Sequence, residues 1–286
     1  MAYRLSTLAD GRTVLLDDGL LEGESARWWD LGRLTDGRLA DPLDALADPA
    51  GLDALTDAAG VPHGDPDGEV ALGGLGPSVP RPRKVFGIGM NFGAHIAEMG
   101  RSAPAIPVIF TKWPNCLTGP GSDIVLVGDR TDYEVELVAV IGRTCRGLDL
   151  SEAWDALAGV AVGQDVSDRA LQLASSPPQF SLGKSHDTFG PLGPVTSLDL
   201  VDDPTDLMLH CSVDGEMRQD SHTSLMILDV PGLVAYLSEV CTLEPGDLVF
   251  TGTPAGVGDP QGRCLEVGQL VESEIPGVGR LANRCV

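Results

Sequence analysis

The chain has 286 residues, of which 43% are hydrophobic and 21% charged, the balance of an ordinary globular protein with room for one large domain or two. Forty-two acidic against 19 basic residues give a formal charge of −23, a field that repels phosphate backbones and anionic lipid, so no nucleic-acid or membrane partner is expected. Six scattered cysteines without a C-x-x-C pair argue against a disulfide framework or a zinc site. Met1–Leu5 begins no hydrophobic signal region and no apolar run approaches a membrane span, which predicts a cytoplasmic protein.

In chain order, residues 3–21 alternate like a hairpin about Asp10-Gly11. Residues 39–59 suggest short amphipathic helices broken by Pro42 and Pro49. The stretch 61–84 is rich in proline and glycine and reads as a linker. A boundary near residue 78 divides a small N-terminal domain, 1–78, from a larger one, 79–286. Past it, Lys84–Gly89 reads as a strand entering a short helix over Asn91–Met99. That helix places His95 and Glu98 three apart, neighbours on one face. A carboxylate beside an imidazole fixes its tautomer and strengthens it as a base, although such a pair also serves as a plain surface ion pair. Gly87-x-Gly89-x-x-x-Gly93 lacks the G-x-G-x-x-G spacing of a dinucleotide turn.

Strands are expected at 108–112 and 124–127, and then comes the stretch Asp132–Gly142, rich in β-branched residues and ended by glycine. Alternation puts Asp132, Glu134 and Glu136 on one face and Val135, Leu137 and Ala139 on the other. Adjacent carboxylates at a buried strand end repel each other, and a divalent cation would remove that repulsion. A solvated edge strand with an acidic outer face is the other reading that this segment leaves open. A helix is expected over 151–158 with Ser151 as its cap. The strand 159–162 then delivers Gln164 and Asp165, a third carboxylate at an apolar strand end. Three carboxylates with no nearby His or Cys cluster suit an oxygen-loving cation, Mg²⁺, Mn²⁺ or Ca²⁺.

Gly183–Pro191 is turn-rich and carries Lys184, one of three lysines in the chain. A strand at 207–213, a turn at Asp214-Gly215 and a helix over 227–240 follow. Residues 242–250 enter the loop Thr251-Gly252-Thr253-Pro254-Ala255-Gly256-Val257-Gly258, whose N–H groups and hydroxyls offer themselves to an anion. No G-K-[ST] follows, so it is not a P-loop. Residues 270–275 and 278–281 read as closing strands.

Five pieces in order resemble the fumarylacetoacetate hydrolase superfamily: residues 89–98, 132–137, 165–172, 183–194 and 243–258. The resemblance spans roughly 80–286, with the first 78 residues similar to the extra domain of longer bacterial-type members. It implies a mixed α+β, mainly β fold, a β-sandwich roll with a small N-terminal α/β domain, usually as a homodimer. It implies a Mg²⁺ or Mn²⁺ ion, with Ca²⁺ an option, held by Glu134, Glu136 and Asp165. It further implies a 2-oxo acid bound to that metal, a His95–Glu98 dyad on a lid helix, and Lys184 beside the metal. Arg169 and Gln172 fall on the helix near the family's site, and Thr253 matches a substrate-contacting threonine. The chain departs from the family at Gln164, Asp168, Ala170, His186 and Phe92. The implied activity is metal-dependent C–C hydrolysis of a small 2,4-dioxo, acylpyruvate-like acid through an enolate. Decarboxylation or isomerisation of a 2-oxo-ene-dioic acid is the alternative on the same enolate, and a silent binding protein on the same fold is the rival from another class.

Overall fold

Every residue of the strand Val135–Ile141 is buried, and the other layers are built around it. The computed structural model describes residues 1–286, the side chain of Glu22 aside. The strand pairs antiparallel with Leu157–Gln164, Glu136 facing Gly163, and on its other edge with Leu248–Phe250, Val138 facing Phe250. It thus lies within an 11-stranded sheet, and the solvated edge strand is excluded. Val135, Leu137, Ala139 and Ile141 enter one core cluster, while Val138 and Val140 enter a second. Glu134 and Glu136 share the even-numbered face with those valines, so alternation carries both carboxylates inside.

The first core is closed by a four-stranded sheet, ordered Glu216–His222, Met208–Val213, Leu270–Ile275 and Gly279–Arg284. Its Leu209, Val213, Val271 and Ile275 join the cluster of Leu137 and Ile141. The helix Val230–Val240 adds Leu233, Val234 and Leu237 to the same cluster, and the Asp229 side chain caps it by accepting from Gly232 N. The fold is mixed and mainly β, as expected. Among the described residues no helix is long and apolar enough to cross a membrane.

The first 76 residues extend the large sheet. The strands run Gly68–Ala71, Ser25–Asp30, Thr13–Leu16 and Arg4–Leu8, and the last pairs with Val195–Thr196. The expected hairpin forms, with Leu5 opposite Leu15. Pro42 and Pro49 open the helices Pro42–Leu46 and Pro49–Asp53, where a missing N–H costs nothing, and the Asp41 and Asp48 side chains cap them. The stretch read as a linker holds Gly68–Ala71, paired with Ser25–Asp30, and Leu75–Gly76, paired with Thr7 and Leu8. Its glycines and prolines shape edges and turns between short strands.

Two local expectations change. Residues 124–127 form a bridge, Ile124 to Cys285, in place of a strand. The helix expected over 151–158 is two 3₁₀ turns, Leu150–Glu152 and Trp154–Ala156, because the buried strand begins already at Leu157. The first turn follows Asp149, whose N–H donates to the Glu152 carboxylate at 3.1 Å, and Ser151 is not its cap.

Gly163 is needed at its place opposite Glu136. A Cβ there would stand 2.5 Å from Val138 Cγ2 and 2.7 Å from Phe250 Cε1, both in the packed interior. Gly163→Ala is expected to cost about 1–3 kcal/mol in urea unfolding, the scale of overpacking a core. An unchanged midpoint would show slack between these strands.

Candidate metal centre and substrate cleft

Glu134 and Glu136 leave the strand end on one face, and Asp165 ends the neighbouring strand beside them. One carboxylate oxygen from each lies within 4.8 Å of the others, and all three residues are buried. Asp165 N donates to Glu134 O at 2.9 Å, locking the two strand ends together. Gln164, a departure from the family pattern, takes part in this. Its Oε1 accepts from Glu134 N at 2.8 Å and its Nε2 donates to Ser273 Oγ at 2.8 Å, tying the site to the second sheet.

Three buried cations face these carboxylates. Lys184 Nζ lies 2.7 Å from Glu134 Oε2 and 2.6 Å from Asp165 Oδ2. Arg169 Nη2 lies 2.7 Å from Glu134 Oε1 and 2.9 Å from Asp132 Oδ2. The third, Lys112, was missed by the sequence reading. Its Nζ donates to Asp165 Oδ1 at 2.8 Å and Phe189 O at 3.0 Å, and also to Lys184 O. A lysine closing the apolar strand Val108–Thr111 was the signal that could have found it, since a charge there needs a buried partner.

Burial pushes the Glu134 carboxyl up, but the charges of Lys184 and Arg169 outweigh it and hold the group at about 2. Glu136 has no cationic side chain against it among the described residues; its Oε2 accepts from Gly252 N at 2.8 Å. Burial, with the charges of Asp165 and Glu134, drives its carboxyl well above the usual carboxylate range. Four buried carboxylates, Asp132, Glu134, Glu136 and Asp165, thus meet three buried cations, Lys112, Arg169 and Lys184. With all four ionised the cluster is one positive charge short, and its unmatched member is Glu136. A shortfall at three converging carboxylate oxygens fits a hard divalent cation.

The loop expected to receive an anion does so with the chain's own carboxylates. Gly252 N donates to Glu136, Gly256 N to Glu98 Oε2 at 3.1 Å, and Gly258 N and Asp259 N to Asp132 at 2.7 and 3.1 Å. The helix Gly93–Glu98 is therefore docked on this loop through Glu98, which also accepts from Gln261 Nε2. His95 Nδ1 stands 3.4 Å from Glu98 Oε2, and burial lowers the imidazole pKa. His95, Glu134, Arg169, Gln172, Lys184 and Thr253 line one cleft. Glu136 and Asp165, not themselves in that lining, cluster with Glu134, and Glu98 backs His95.

Gln172 Oε1 accepts from Arg169 Nη1 at 2.9 Å. Thr253 Oγ1 donates to Val135 O at 2.9 Å and accepts from Gln219 Nε2 at 2.8 Å. Two further departures meet in space: His186 Nε2 lies 3.2 Å from Asp168 Oδ2, while Asp168 Oδ1 caps the helix Arg169–Gln172 by accepting from Leu171 N.

A family model described as the C-terminal part of fumarylacetoacetate hydrolase matches residues 84–286. The chain belongs to the fumarylacetoacetate hydrolase family. It is 39% identical over 216 residues to a fumarylacetoacetate hydrolase domain-containing protein 2 homolog of Dictyostelium discoideum, covering 71% of each chain. The structure of 5-carboxymethyl-2-hydroxymuconate delta-isomerase from Mycobacterium smegmatis matches at a TM-score of 0.73 and 32% identity, over 100% of this chain and 98% of that one. Fumarylpyruvate hydrolase from Pseudomonas aeruginosa, in complex with Mn²⁺ and pyruvate, matches at 0.65 and 32% identity, over 78% and 93%.

Asp132 links the loop to Arg169, whose Nε donates to its Oδ2 at 2.9 Å. Asp132→Ala strips a buried guanidinium of a partner and frees three backbone donors, Tyr133 N, Gly258 N and Asp259 N. The expected cost is about 3–5 kcal/mol in denaturant unfolding, with faster hydrogen exchange at Gly258 and Asp259. Wild-type stability and exchange would mean that the loop is held by other contacts.

Proposed function

We propose that the protein is a divalent-metal-dependent hydrolase that cleaves a carbon–carbon bond of a small acylpyruvate-like 2,4-dioxo acid. The observation that carries this reading is one cleft holding both a carboxylate cluster short of one positive charge and the His95–Glu98 pair. The Mn²⁺ and pyruvate in the structure of the similar fumarylpyruvate hydrolase support Mg²⁺ or Mn²⁺ here, and a 2-oxo acid as ligand. Glu134, Glu136 and Asp165 hold the ion, which when bound supplies Lewis-acid polarisation of the substrate oxygens.

The chain's own residues do the rest. Lys184 lines the cleft and offers a fixed positive charge, in a largely dry setting, to the enolate oxygen that develops as the bond breaks. Arg169 and Thr253 form walls already fixed by their hydrogen bonds to Asp132 and Val135. Gln172, its carbonyl occupied by Arg169, keeps its amide donors for the substrate. Glu98 accepts from His95 Nδ1, which leaves the lone pair on Nε2. Burial keeps this imidazole neutral, ready to take a proton from water. The water oxygen bonds to the 4-carbonyl carbon and the bond between carbons 3 and 4 breaks. Carbon 3 gains a proton, and a carboxylic acid and pyruvate leave.

Isomerisation or decarboxylation of a 2-oxo-ene-dioic acid is the second reading. The similar isomerase supports it, as does a carboxylate cluster with Lys184 that stabilises an enolate without engaging water. A homodimer belongs to the same proposal. Its support is the strand Val108–Thr111 at the open edge of the large sheet, with Trp113 exposed just beyond it.

With Mg²⁺ or Mn²⁺, an acylpyruvate panel should yield pyruvate and a carboxylic acid, with all activity lost to chelator. His95→Ala and Glu98→Ala should each lower kcat by about 10²–10⁴-fold, and the double variant little further, since the two act as one unit. The base works neutral, so activity is present above the His95 pKa and lost as pH falls through it. Because burial lowers that pKa, the acid limb of kcat/KM should fall below 6.5. Undiminished hydrolysis in either single variant would remove the dyad from the mechanism. Release of CO₂ or a double-bond shift without cleavage would select the second reading.

A further inference from the structure

We infer that Arg101 reads the far end of the substrate and selects 2-oxo acids that carry a second, distal carboxylate. The inference rests on the reading above that the inner end of the cleft takes the 2-oxo acid group.

The helix Gly93–Glu98 ends in a Schellman motif. Gly100 is left-handed at φ +63°, Gly100 N donates to Ala97 O at 3.0 Å, and Arg101 N donates to Ile96 O at 3.0 Å. These bonds fix the Arg101 backbone to the helix that carries His95, so its side chain has a set place relative to the reacting end. The side chain is exposed and lines the cleft with Met90, Met99, Phe110 and Phe180. It also lines the adjoining groove toward Val108 and Pro178, and Arg101 thus stands where the two meet.

The cations at the inner end are matched within the protein, since Arg169 and Lys184 both pair with Glu134. Glu134 is the one acidic residue that lines the cleft with Arg101, and its two carboxylate oxygens are taken by Arg169 and Lys184. In a chain with 42 acidic and 19 basic residues, an arginine in a cleft without a free acid beside it is open to an anion supplied from outside. A guanidinium binds a carboxylate with two parallel hydrogen bonds, giving direction as well as charge. Met90, Phe110 and Phe180 between the two ends suit the carbon chain that joins two carboxylates. The second groove, lined by Phe110 and Phe180 in an edge-to-face pair, suits an uncharged tail, and that preference is the competing outcome.

The test is calorimetric binding of unreactive 2-oxo acids to the Mn²⁺-loaded protein. 2-Oxoglutarate, 2-oxoadipate and 2-oxopimelate are compared with monocarboxylic 2-oxo acids of equal chain length. At one length or more, the dioic acid should bind at least about tenfold tighter, the scale of a charge-assisted pair. In Arg101→Gln that ratio should fall toward one, with Arg101→Lys between. A ratio near one in the wild type, tighter binding of the monocarboxylic series, or a ratio that persists in Arg101→Gln overturns the inference. Discrimination without any acylpyruvate cleavage would overturn the hydrolase reading alone. Binding of none of these acids would overturn both.

Discussion

The site depends on a buried charge imbalance. Removing a carboxylate from water costs several kcal/mol even after the protein relaxes around it, and four are buried here within reach of one another. Lys112, Arg169 and Lys184 offset three of them at distances of 2.6–2.9 Å. Glu136 is the exception, held by a backbone N–H and facing two like charges. Each cation bridges groups from different elements. Lys112 joins a sheet strand to Asp165 and to the Lys184 backbone, and Arg169 joins a helix to Asp132 and Glu134. The pairing that makes the carboxylates tolerable therefore also fixes the geometry of the cleft.

The loop 251–259 transmits that geometry to the dyad. Three of its glycines give their N–H groups to Glu136, Glu98 and Asp132 in turn. Gly252 and Gly256 do so at φ +100° and +108°, where a side chain is strained. A Cβ at Gly256 would also collide with Arg218 O. One loop thus holds the cation-deficient carboxylate, the partner of His95 and the anchor of Arg169. The carboxylate cluster and the His95–Glu98 pair share a single support.

Much of this was legible in the sequence because it is local. Alternation along 132–140 assigned Glu134 and Glu136 to one face without any knowledge of their neighbours, and helical spacing joined His95 to Glu98. What was not legible is what depends on partners far apart in the chain. Lys112 meets Asp165 across 53 positions, and nothing near Lys112 in sequence is acidic. Asp168 and His186 read as two separate departures until the fold brought them within 3.2 Å. Local composition also misled. Proline and glycine between 61 and 84 suggested a linker, yet Gly68–Ala71 completes a sheet whose other strands come from both halves of the chain. Over 151–158 helix propensity yielded to the burial of the next strand.

The charge imbalance is tested most directly by titrating the metal-free protein with Mn²⁺ and following free ion by electron paramagnetic resonance. One site per chain is expected. Glu136→Gln, which removes the unmatched carboxylate while leaving Lys112, Arg169 and Lys184 paired, should weaken it by at least about a hundredfold, more than the loss of a supporting contact. No site in the folded wild-type protein, or equal affinity in Glu136→Gln, would contradict the assignment of Glu134, Glu136 and Asp165 as a cation site.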